Sequence, residues 1–470
     1  MNEVIDKLRA VLGSGGYIDD QALIAPYLVD FRRLYHGASH FVARPATTAQ
    51  VAATVQVCAE HRIGIVPHGG NTSYCGGATP DDSGSQIILS LQRLNRVRAL
   101  DADGFSVTAE AGCTLLAIQQ AADNAQRLFP LSLGSEGTCQ IGGNISTNAG
   151  GTAVLRYGMM RELVLGLEVV LPDGRVLDQL RSLRKDNTGY DVKQWFIGAE
   201  GTLGVITAAC LKLFPRPVAH VTAFIAVDTL DRAVALLAEV RNSMGDTVVA
   251  FEVMPRLALE LVLKHLPGVR DPLQSAHPWY VLAEVAVNSS ADAESERFAA
   301  FLAAAVENGR VRDAVLAGSE TQRLAMWHIR ENVPAAQSRE GASIKHDISL
   351  PIAAIPEFVA AAGAAALATA PGARMVAYGH LGDGNLHFNF SQSPQQSSAE
   401  FLARADAVKH VVHDLVASHG GSISAEHGIG QLKVEELRRY ENPIAWDLMR
   451  TLKRSLDPHN IMNPGKVLPS

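Results

Sequence analysis

The feature that most constrains the fold of this chain is a long run of small and polar residues, 134–151, within an otherwise regular first half. A stretch of this length with no helix or strand pattern is uncommon in a compact domain and is usually functional. Two further glycine-rich loops, 67–73 and 198–206, adjoin strand patterns. Paired glycines let the backbone approach a ligand closely. The first half therefore predicts a site for a large, planar cofactor.

Two common nucleotide-binding motifs are absent from the sequence. It contains neither a complete G-x-G-x-x-G nor a G-x-x-x-x-G-K-[ST] segment. These are the fingerprints of a Rossmann site for NAD and of a Walker-type site for ATP. We therefore expect the three loops to serve a different cofactor.

Composition places the chain among ordinary globular proteins, since 47% of its 470 residues are hydrophobic and 19% are charged. The net charge of −7 argues against a general nucleic-acid binder. Five cysteines without a Cys-x-x-Cys pair favour a reduced protein. We expect no signal or transit peptide, no integral membrane segment and a cytoplasmic location.

The pattern of elements changes near Pro217. Before it lie the glycine-rich loops. After it, strand patterns of apolar residues alternate with helical ones, which predicts an α+β domain with an antiparallel sheet. We expect a cofactor domain over residues 1–217, a cap domain over 218–421 and a C-terminal segment, 422–470, that returns to the first domain.

A histidine pair in the second half suggests a metal site. Strand patterns flank Asp383-Gly384, and such a dipeptide is a strong hairpin signal. A two-residue loop there would place His380 directly opposite His387, with Cβ atoms about 5 Å apart. Glu426 is the candidate oxygen ligand, and the adjacent His427 would remain available as a base.

Taken together, these motifs resemble a known flavoprotein family. The three loops are similar to the FAD-binding domain of the vanillyl-alcohol oxidase / p-cresol methylhydroxylase superfamily, and the second half resembles the cap domain of its D-2-hydroxyacid dehydrogenase branch. Segments 182–191 and 344–351 look most like those of D-2-hydroxyglutarate dehydrogenases. The resemblance runs from Arg44 to Leu468. It implies a p-cresol methylhydroxylase-type FAD-binding domain plus an α+β cap domain.

The resemblance assigns the cofactor loops to FAD. The first loop would hold the pyrophosphate, and the second would pass the pyrophosphate and the flavin ring. The third, over Gly201 to Ile206, would lie near the adenosine or the ring edge, and the C-terminal Asn463 would return to the isoalloxazine ring. Asn71 stands where several members carry a flavin-linked histidine, so non-covalent FAD is expected. The implied residues are Pro67, Gly69, Gly70, Asn71, Thr72, Ser73, Gly134, Gly137, Thr138, Gly142, Asn144, Thr147, Asn148, Gly201, Ile206 and Asn463.

The resemblance also assigns the second half to metal and substrate. His380, His387 and Glu426 would bind a divalent metal, with Zn favoured, although such a nitrogen and oxygen set also accepts Mn, Fe or Co. His427 would be the general base. Substrate-binding positions would be Arg330, Lys345 and Asn389.

The implied reaction is oxidation of a D-2-hydroxy acid to the 2-oxo acid, with hydride transfer to flavin N5. D-2-Hydroxyglutarate or D-malate is favoured. Pro334 stands where dicarboxylate-specific members carry a hydroxyl residue. A D-lactate- or glycolate-type activity therefore stays open.

Other functions and partners remain alternatives. A metal-dependent hydrolase would turn over without an electron acceptor, and a sensor would bind FAD or acid without reduction. The expected electron acceptor is electron-transfer flavoprotein or a quinone-linked carrier, with oxygen as an alternative. A homodimer is also expected, although no feature of the sequence indicates it.

Overall fold

The computed structural model describes residues 2–469. Within that range the chain forms two compact units. The first contains the described residues up to Gly151, then Gly158–Arg216 and the described residues from Glu426 onward. The second contains Thr152–Tyr157 and Pro217–Ala425. The chain thus leaves the first unit after Gly151 and again after Arg216, and it returns at Gly158 and at Glu426.

The first unit contains two main sheets. In the smaller sheet, parallel pairs join Val42–Ala43 to Ile87–Ser90 and Ile87–Ser90 to Ile65–His68, while Tyr17–Ile18 is antiparallel at one edge. The larger sheet is antiparallel, and its strand order is Val97–Asp101, Ser106–Glu110, Val205–Lys212, Val164–Val170 and Val176–Gln179. A two-stranded pair joins Arg127–Leu128 and Phe214–Pro215.

One helix of the first unit, Thr48–His61, begins and ends where capping signals predict. Thr48–His61 starts after Thr47, whose hydroxyl accepts the Gln50 N–H at 3.2 Å, and ends at Arg62 in the left-handed region. The other helices are Asn2–Leu12, Gln21–Ile24, Leu115–Asn124, Ile141–Ser146, Met160–Leu163, Val434–Tyr440 and Pro443–Leu456, with 3₁₀ turns at Ala25–Tyr27 and Val192–Trp195.

The long polar run 134–151 is not structureless throughout. Its centre forms the short helix Ile141–Ser146. Low helix propensity concealed it, because three of its six residues are glycine or asparagine. The segment is helical because tertiary packing outweighs propensity: Ile141 and Ile145 are fully buried.

The second unit is built on one large antiparallel sheet, as the strand patterns predicted. Its order is Asp313–Leu316, Ala219–Val227, Trp279–Val287, Val248–Pro255, Arg374–His380, Asn385–Ser391 and Ser343–Ile344, and Asp347–Ser349 also pairs with Asn385–Ser391. The central strands Val248–Pro255 and Trp279–Val287 are almost entirely buried, and each is apolar except for one glutamate, Glu252 or Glu284.

The helices of the second unit contribute further buried apolar side chains to its core. They are Val154–Tyr157, Leu230–Met244, Arg256–His265, Ala291–Glu307, Glu320–Glu331, Val333–Glu340, Ile355–Thr369, Ser398–Leu402 and Ala405–Ser418, with 3₁₀ turns at Gly245–Thr247, Ile352–Ala354 and Leu381–Asp383.

The stretch Ile352–Thr369 is long and apolar enough to span a membrane by length and composition, a test that core helices of globular domains also pass. Its Phe358 ring lies 5.1 Å from that of Phe388 in the sheet, centroid to centroid.

Candidate functional site

The first cofactor loop lies at the carboxyl end of a parallel strand. Ile65–His68 includes Pro67 and runs directly into Gly69 and Gly70. A Cβ on Gly70 would lie 2.2 Å from the carbonyl oxygen of Thr138, so no other residue fits without displacing the second loop. Asn71 adopts a left-handed φ of 52° and donates its amide to the Val29 carbonyl at 2.8 Å. The two loops therefore meet through backbone contacts that require glycine.

Several buried polar atoms in this unit have no hydrogen-bond partner among the described residues. They include Gln140 Oε1, Asn144 Oδ1, Asn463 Oδ1 and Thr79 Oγ1. A buried acceptor left unpaired costs about 1–3 kcal/mol. One of them, Gln140 Oε1, would lie 3.7 Å from a Cβ on Gly69, so it adjoins the glycine loop. Unpaired acceptors of this kind fit a large ligand with hydrogen-bond donors and acceptors, as FAD has.

Asn463 shows how the C-terminal segment contributes. Its side-chain nitrogen donates to the carbonyl oxygens of Gly77 and Glu200, at 2.9 and 2.8 Å. The amide is thereby oriented, and its Oδ1 is the atom left without a protein donor. A residue near the end of the chain thus joins the cofactor loops.

Some of the predicted cofactor residues have a packing role in the structure. A Cβ on Gly142 would lie 2.7 Å from that of Ala111, and Gly201, at a φ of 75°, lies against Pro67. Asn148 accepts the Arg161 N–H at 2.9 Å, and the Thr147 hydroxyl donates to the Gly143 carbonyl at 3.0 Å.

The other predicted positions border the same loops. A Cβ on Gly134 or Gly137 would meet nothing within 4 Å. Thr138 is exposed, Thr72 and Ser73 are half-buried, and Ile206 lies buried in the strand Val205–Lys212.

His68 precedes the paired glycines and is buried against the Tyr27 ring, at 4.9 Å between centroids. Burial lowers the pKa of its imidazole to about 4. The ring is therefore neutral at physiological pH, in keeping with a structural role.

The histidine hairpin differs from the sequence expectation in its register. His387 pairs directly with Tyr378, not with His380. The expected two-residue loop is wrong because a 3₁₀ turn occupies Leu381–Asp383 and Gly384 follows in the left-handed region. The rings of His380 and His387 nevertheless lie 5.5 Å apart, centroid to centroid.

The residues of this region form a polar row across four neighbouring strands of the second unit. Glu252 pairs with His380, Tyr378 pairs with His387, and His387 pairs on its other side with Asp347. Directly paired residues share one face of a sheet. Fold topology thus brings together side chains that are far apart in sequence.

Glu252 lies at one end of that row and is fully buried. Its carboxylate accepts hydrogen bonds from His380 Nδ1 at 2.7 Å and from Arg330 Nε at 2.6 Å. Although burial raises the pKa of this carboxyl group, its interactions with Arg330 and His380 outweigh that effect and lower the pKa from 4.5 to about 2. Glu252 is therefore ionised. It holds His380 in the tautomer with the proton on Nδ1.

Arg330 lies at the end of the helix Glu320–Glu331 and stacks over the Tyr378 ring at 5.0 Å. Its Nη2 lies 3.5 Å from His380 Nε2. Arg330 is only 6% exposed, so its guanidinium is poorly hydrated.

Asp347 is a candidate ligand that the sequence reasoning missed. One of its oxygens lies within 4.8 Å of a ring nitrogen of His387, and its carboxylate accepts the Asn385 amide at 3.0 Å. Histidine and carboxylate donors in this proximity suit a divalent metal.

The remaining predicted substrate residues are partly engaged. Asn389 is buried, accepts the His346 N–H at 3.1 Å and donates to Gln337 at 3.0 Å. Lys345 is half-buried between the strands Ser343–Ile344 and Asp347–Ser349. Pro334 lies in the first turn of the helix Val333–Glu340 and offers no side-chain donor.

Glu426 and His427 belong to the first unit. The imidazole Nε2 lies 3.9 Å from a Glu426 oxygen, and its ring meets the Tyr74 ring edge-on at 4.6 Å. Burial, and then the charge of Glu426, raise the pKa of Tyr74. The phenol is therefore protonated beside the imidazole at neutral pH.

One sequence signal could have identified Glu252. It is a lone acid within the apolar strand pattern Val248–Val253, and a charge buried in a central strand requires paired partners. Asp347 carries no comparable signal, because its strand has only three residues.

Comparisons with known proteins match both halves of the chain to flavoprotein domains. Residues 216–467 match the C-terminal domain of FAD-linked oxidases, and residues 39–179 match an FAD-binding domain. The mitochondrial D-2-hydroxyglutarate dehydrogenase of Bos taurus is 41% identical over 97% of this chain and 82% of the relative. That of Arabidopsis thaliana is 37% identical over 99% and 81%.

A relative from Saccharomyces cerevisiae, named D-2-hydroxyglutarate–pyruvate transhydrogenase, is 34% identical over 99% of this chain and 94% of its own length. Among solved structures, p-cresol methylhydroxylase has a TM-score of 0.76 at 17% identity, covering 100% of this chain and 97% of that one. The fold prediction, a p-cresol methylhydroxylase-type FAD-binding domain followed by an α+β domain with an antiparallel sheet, is confirmed.

The comparisons also correct one expectation. The relatives from Bos taurus, Arabidopsis thaliana and Rattus norvegicus are named mitochondrial proteins. The prediction of a cytoplasmic location is therefore wrong. It rested on composition and on the first residues, which carry little information about compartment.

Proposed function

This chain belongs to the FAD-linked oxidases and, within them, to the D-2-hydroxyglutarate dehydrogenase family, and on that premise we propose that it oxidises a D-2-hydroxy acid to its 2-oxo acid. D-2-Hydroxyglutarate or D-malate is the favoured substrate. The observation that carries the proposal is the buried Glu252 carboxylate, which orients both Arg330 and His380 on one face of the sheet.

FAD would be held by residues 67–73, 134–148 and 201–206 together with Asn463. The unpaired acceptors Gln140 Oε1, Asn144 Oδ1 and Asn463 Oδ1 and the glycine cradle at Gly70 support this assignment. When bound, the flavin supplies the acceptor for the substrate hydride. Asn71 carries no nucleophilic nitrogen for a flavin linkage, which supports non-covalent binding.

We infer a cofactor region of 1–217 plus 422–470 and a substrate and metal region of 218–421.

We infer that a divalent metal, with Zn favoured, is held by His380, His387 and Glu426. The support is the donor chemistry of the second unit. A metal-binding histidine usually donates its other ring N–H to a carboxylate, as His380 does to Glu252. When bound, the metal lowers the pKa of the substrate hydroxyl. Asp347 is a candidate fourth donor or an orienting partner of His387.

The chain's own residues would bind the acid and move the proton. Arg330 offers a planar fork for bidentate pairing with a carboxylate, and Lys345 adds a point charge. His427 would accept the hydroxyl proton, since an imidazole titrates near neutral pH. The side-chain amide of Asn389 already bonds to His346 and Gln337. Asn389 would therefore contribute to acid binding by positioning its strand.

Pro334 bears on the length of the acid that the site accepts. Pro334 provides no donor for a distal carboxylate, so a shorter acid, as in a D-lactate- or glycolate-type dehydrogenase, is the second candidate. Electron-transfer flavoprotein or a quinone-linked carrier would accept the electrons. The name of the Saccharomyces cerevisiae relative adds a 2-oxo acid such as pyruvate as a further candidate acceptor.

Anaerobic reduction of the purified flavoprotein tests the proposal. A panel of D- and L-2-hydroxy acids, with and without a chelator, should bleach the flavin absorbance for D-acids alone and only in metal-loaded protein. Colourless protein that does not take up FAD would refute the proposal. Reduction at unchanged rates after chelation would remove the metal from it.

The same samples separate the alternatives. A hydrolase would release product without an electron acceptor, and a sensor would bind the acid without bleaching. Reoxidation of the reduced protein by pyruvate, by a quinone analogue or by oxygen distinguishes the acceptors.

A further inference from the structure

A second buried carboxylate, Glu200, lies in the first unit, outside the roles assigned above. It is 8% exposed and adopts a left-handed φ of 51°, which is unusual for glutamate. Each of its oxygens accepts one backbone N–H: Oε1 from Ile429 at 2.7 Å and Oε2 from Gly430 at 2.8 Å. These amides belong to the loop that begins at Glu426 and His427.

The backbone of that loop lies directly against the carboxylate. Gly428 has a φ of 76°, and a Cβ there would lie 2.8 Å from Glu200 Oε1. Burial raises the pKa of Glu200, and the two N–H donors oppose that rise. An ionised carboxylate accepts both bonds, whereas an amide in its place would turn its NH₂ group toward one of the two N–H donors.

Glu200 is itself anchored to the cofactor segments. Its N–H donates to the Ser146 carbonyl at 2.8 Å, at the end of the helix Ile141–Ser146. Its carbonyl accepts the Asn463 amide at 2.8 Å. The carboxylate therefore links the backbone next to His427 to the segments proposed to hold FAD.

The same loop is also held by Cys75, in the extension of the first cofactor loop. The Gln431 N–H donates to the Cys75 carbonyl at 2.9 Å, and a Cβ on Gly430 would lie 2.1 Å from that oxygen. Cys75 Sγ lies 3.3 Å from the Gly428 carbonyl. Residues 428–431, which follow His427 directly, are thus held by both Glu200 and Cys75.

We propose that Glu200 is a positioning residue for His427, acting through the backbone of residues 428–430 to fix the imidazole relative to the cofactor loops. This inference rests on the proposed role of His427 as the general base. Glu200 touches no reacting atom, and its contribution is to restrict the loop on which the base is carried.

Glu200→Gln, compared with Glu168→Gln, tests the inference. Glu168 is a matched control because it is also buried in the first unit, where it accepts hydrogen bonds from Thr48, Thr207 and Arg98. In Glu200→Gln, amide hydrogen exchange in peptides covering 428–431 should accelerate about tenfold, as expected when one charge-assisted bond is lost. Glu168→Gln should leave exchange in those peptides unchanged.

Kinetics provide the second readout. The limiting rate of anaerobic flavin reduction in Glu200→Gln should fall about ten- to hundredfold while the affinity for the acid is retained. In a His427→Gln background, Glu200→Gln should cause no further loss. Glu200→Asp keeps the charge but reaches only one amide, so it should give an intermediate rate. Asp also tolerates the left-handed φ, so this variant decides the question if Glu200→Gln does not fold.

Unchanged exchange in 428–431, or accelerated exchange at the wild-type reduction rate, would overturn the inference. So would a rate loss equal to that of Glu168→Gln, or a further loss in the His427→Gln background. Wild-type protein that no D-2-hydroxy acid reduces would instead refute the proposed function itself.

Discussion

Replacement of Glu252 by glutamine removes a buried negative charge that contacts both Arg330 and His380. The carboxylate is fully buried and accepts two short hydrogen bonds, at 2.6 and 2.7 Å. Glutamine preserves the shape but not the charge, and its NH₂ group would face one of the two donors. The buried Arg330 guanidinium would then lose the charge of its Glu252 partner.

Two independent estimates give the size of the effect. Breaking a buried ion pair by removing one partner costs about 3–5 kcal/mol. The pKa of Glu252 falls from 4.5 to about 2, and each unit corresponds to about 1.4 kcal/mol, which gives about 3 kcal/mol. We therefore expect Glu252→Gln to lower the free energy of unfolding by about 3 kcal/mol at pH 7.

The pH dependence has a defined sign. Because the folded pKa lies below the unfolded one, the stabilisation is complete above about pH 4.5 and is lost as the pH falls toward about 2. Urea denaturation of wild type and Glu252→Gln across this range should show a difference that shrinks on acidification. Metal content measured on the same samples should fall in the variant, because His380 loses its fixed tautomer.

Glu284→Gln is the matched control. Glu284 is a buried glutamate of the adjacent strand that accepts hydrogen bonds from Thr222 and Trp327 and leaves His380 untouched. It should lose stability without losing metal. Equal stability of Glu252→Gln and wild type at pH 7, or a difference that grows on acidification, would refute the reasoning.

Three further predictions concern the first unit. His427→Gln should lower the limiting rate of flavin reduction by about 10²- to 10⁴-fold while FAD absorbance is retained, and stopped-flow spectra at wild-type rates would contradict the role of base. Gly70→Ala should lose FAD during gel filtration, because its Cβ would lie 2.2 Å from the Thr138 carbonyl oxygen, whereas Gly137→Ala, with open space around its Cβ, should retain it. Acid precipitation should release the flavin into the supernatant, since Asn71 stands in place of a linking histidine; yellow pellets would show a covalent bond.

Much of the site could be read from local sequence. The strand before His68, the helix after Thr47 and the paired glycines follow from apolar runs, capping and backbone freedom, which act between near neighbours. The hairpin of His380 and His387 was recognised, but its register was not. Asp383-Gly384 favours a two-residue turn, and only the competing 3₁₀ turn over Leu381–Asp383 moves Tyr378 opposite His387.

The sequence by itself determined that this chain has glycine-rich cofactor loops and a second region with an antiparallel sheet. It also identified His380, His387 and Glu426 as candidate metal ligands. Tertiary structure alone decided which distant residues share a site. The partnership of Glu252 with His380, of Asp347 with His387 and of Glu200 with Gly430 joins positions that no local pattern relates. The physical reason is that strand order and burial set these pairings, and both depend on the free energy of the whole packed unit.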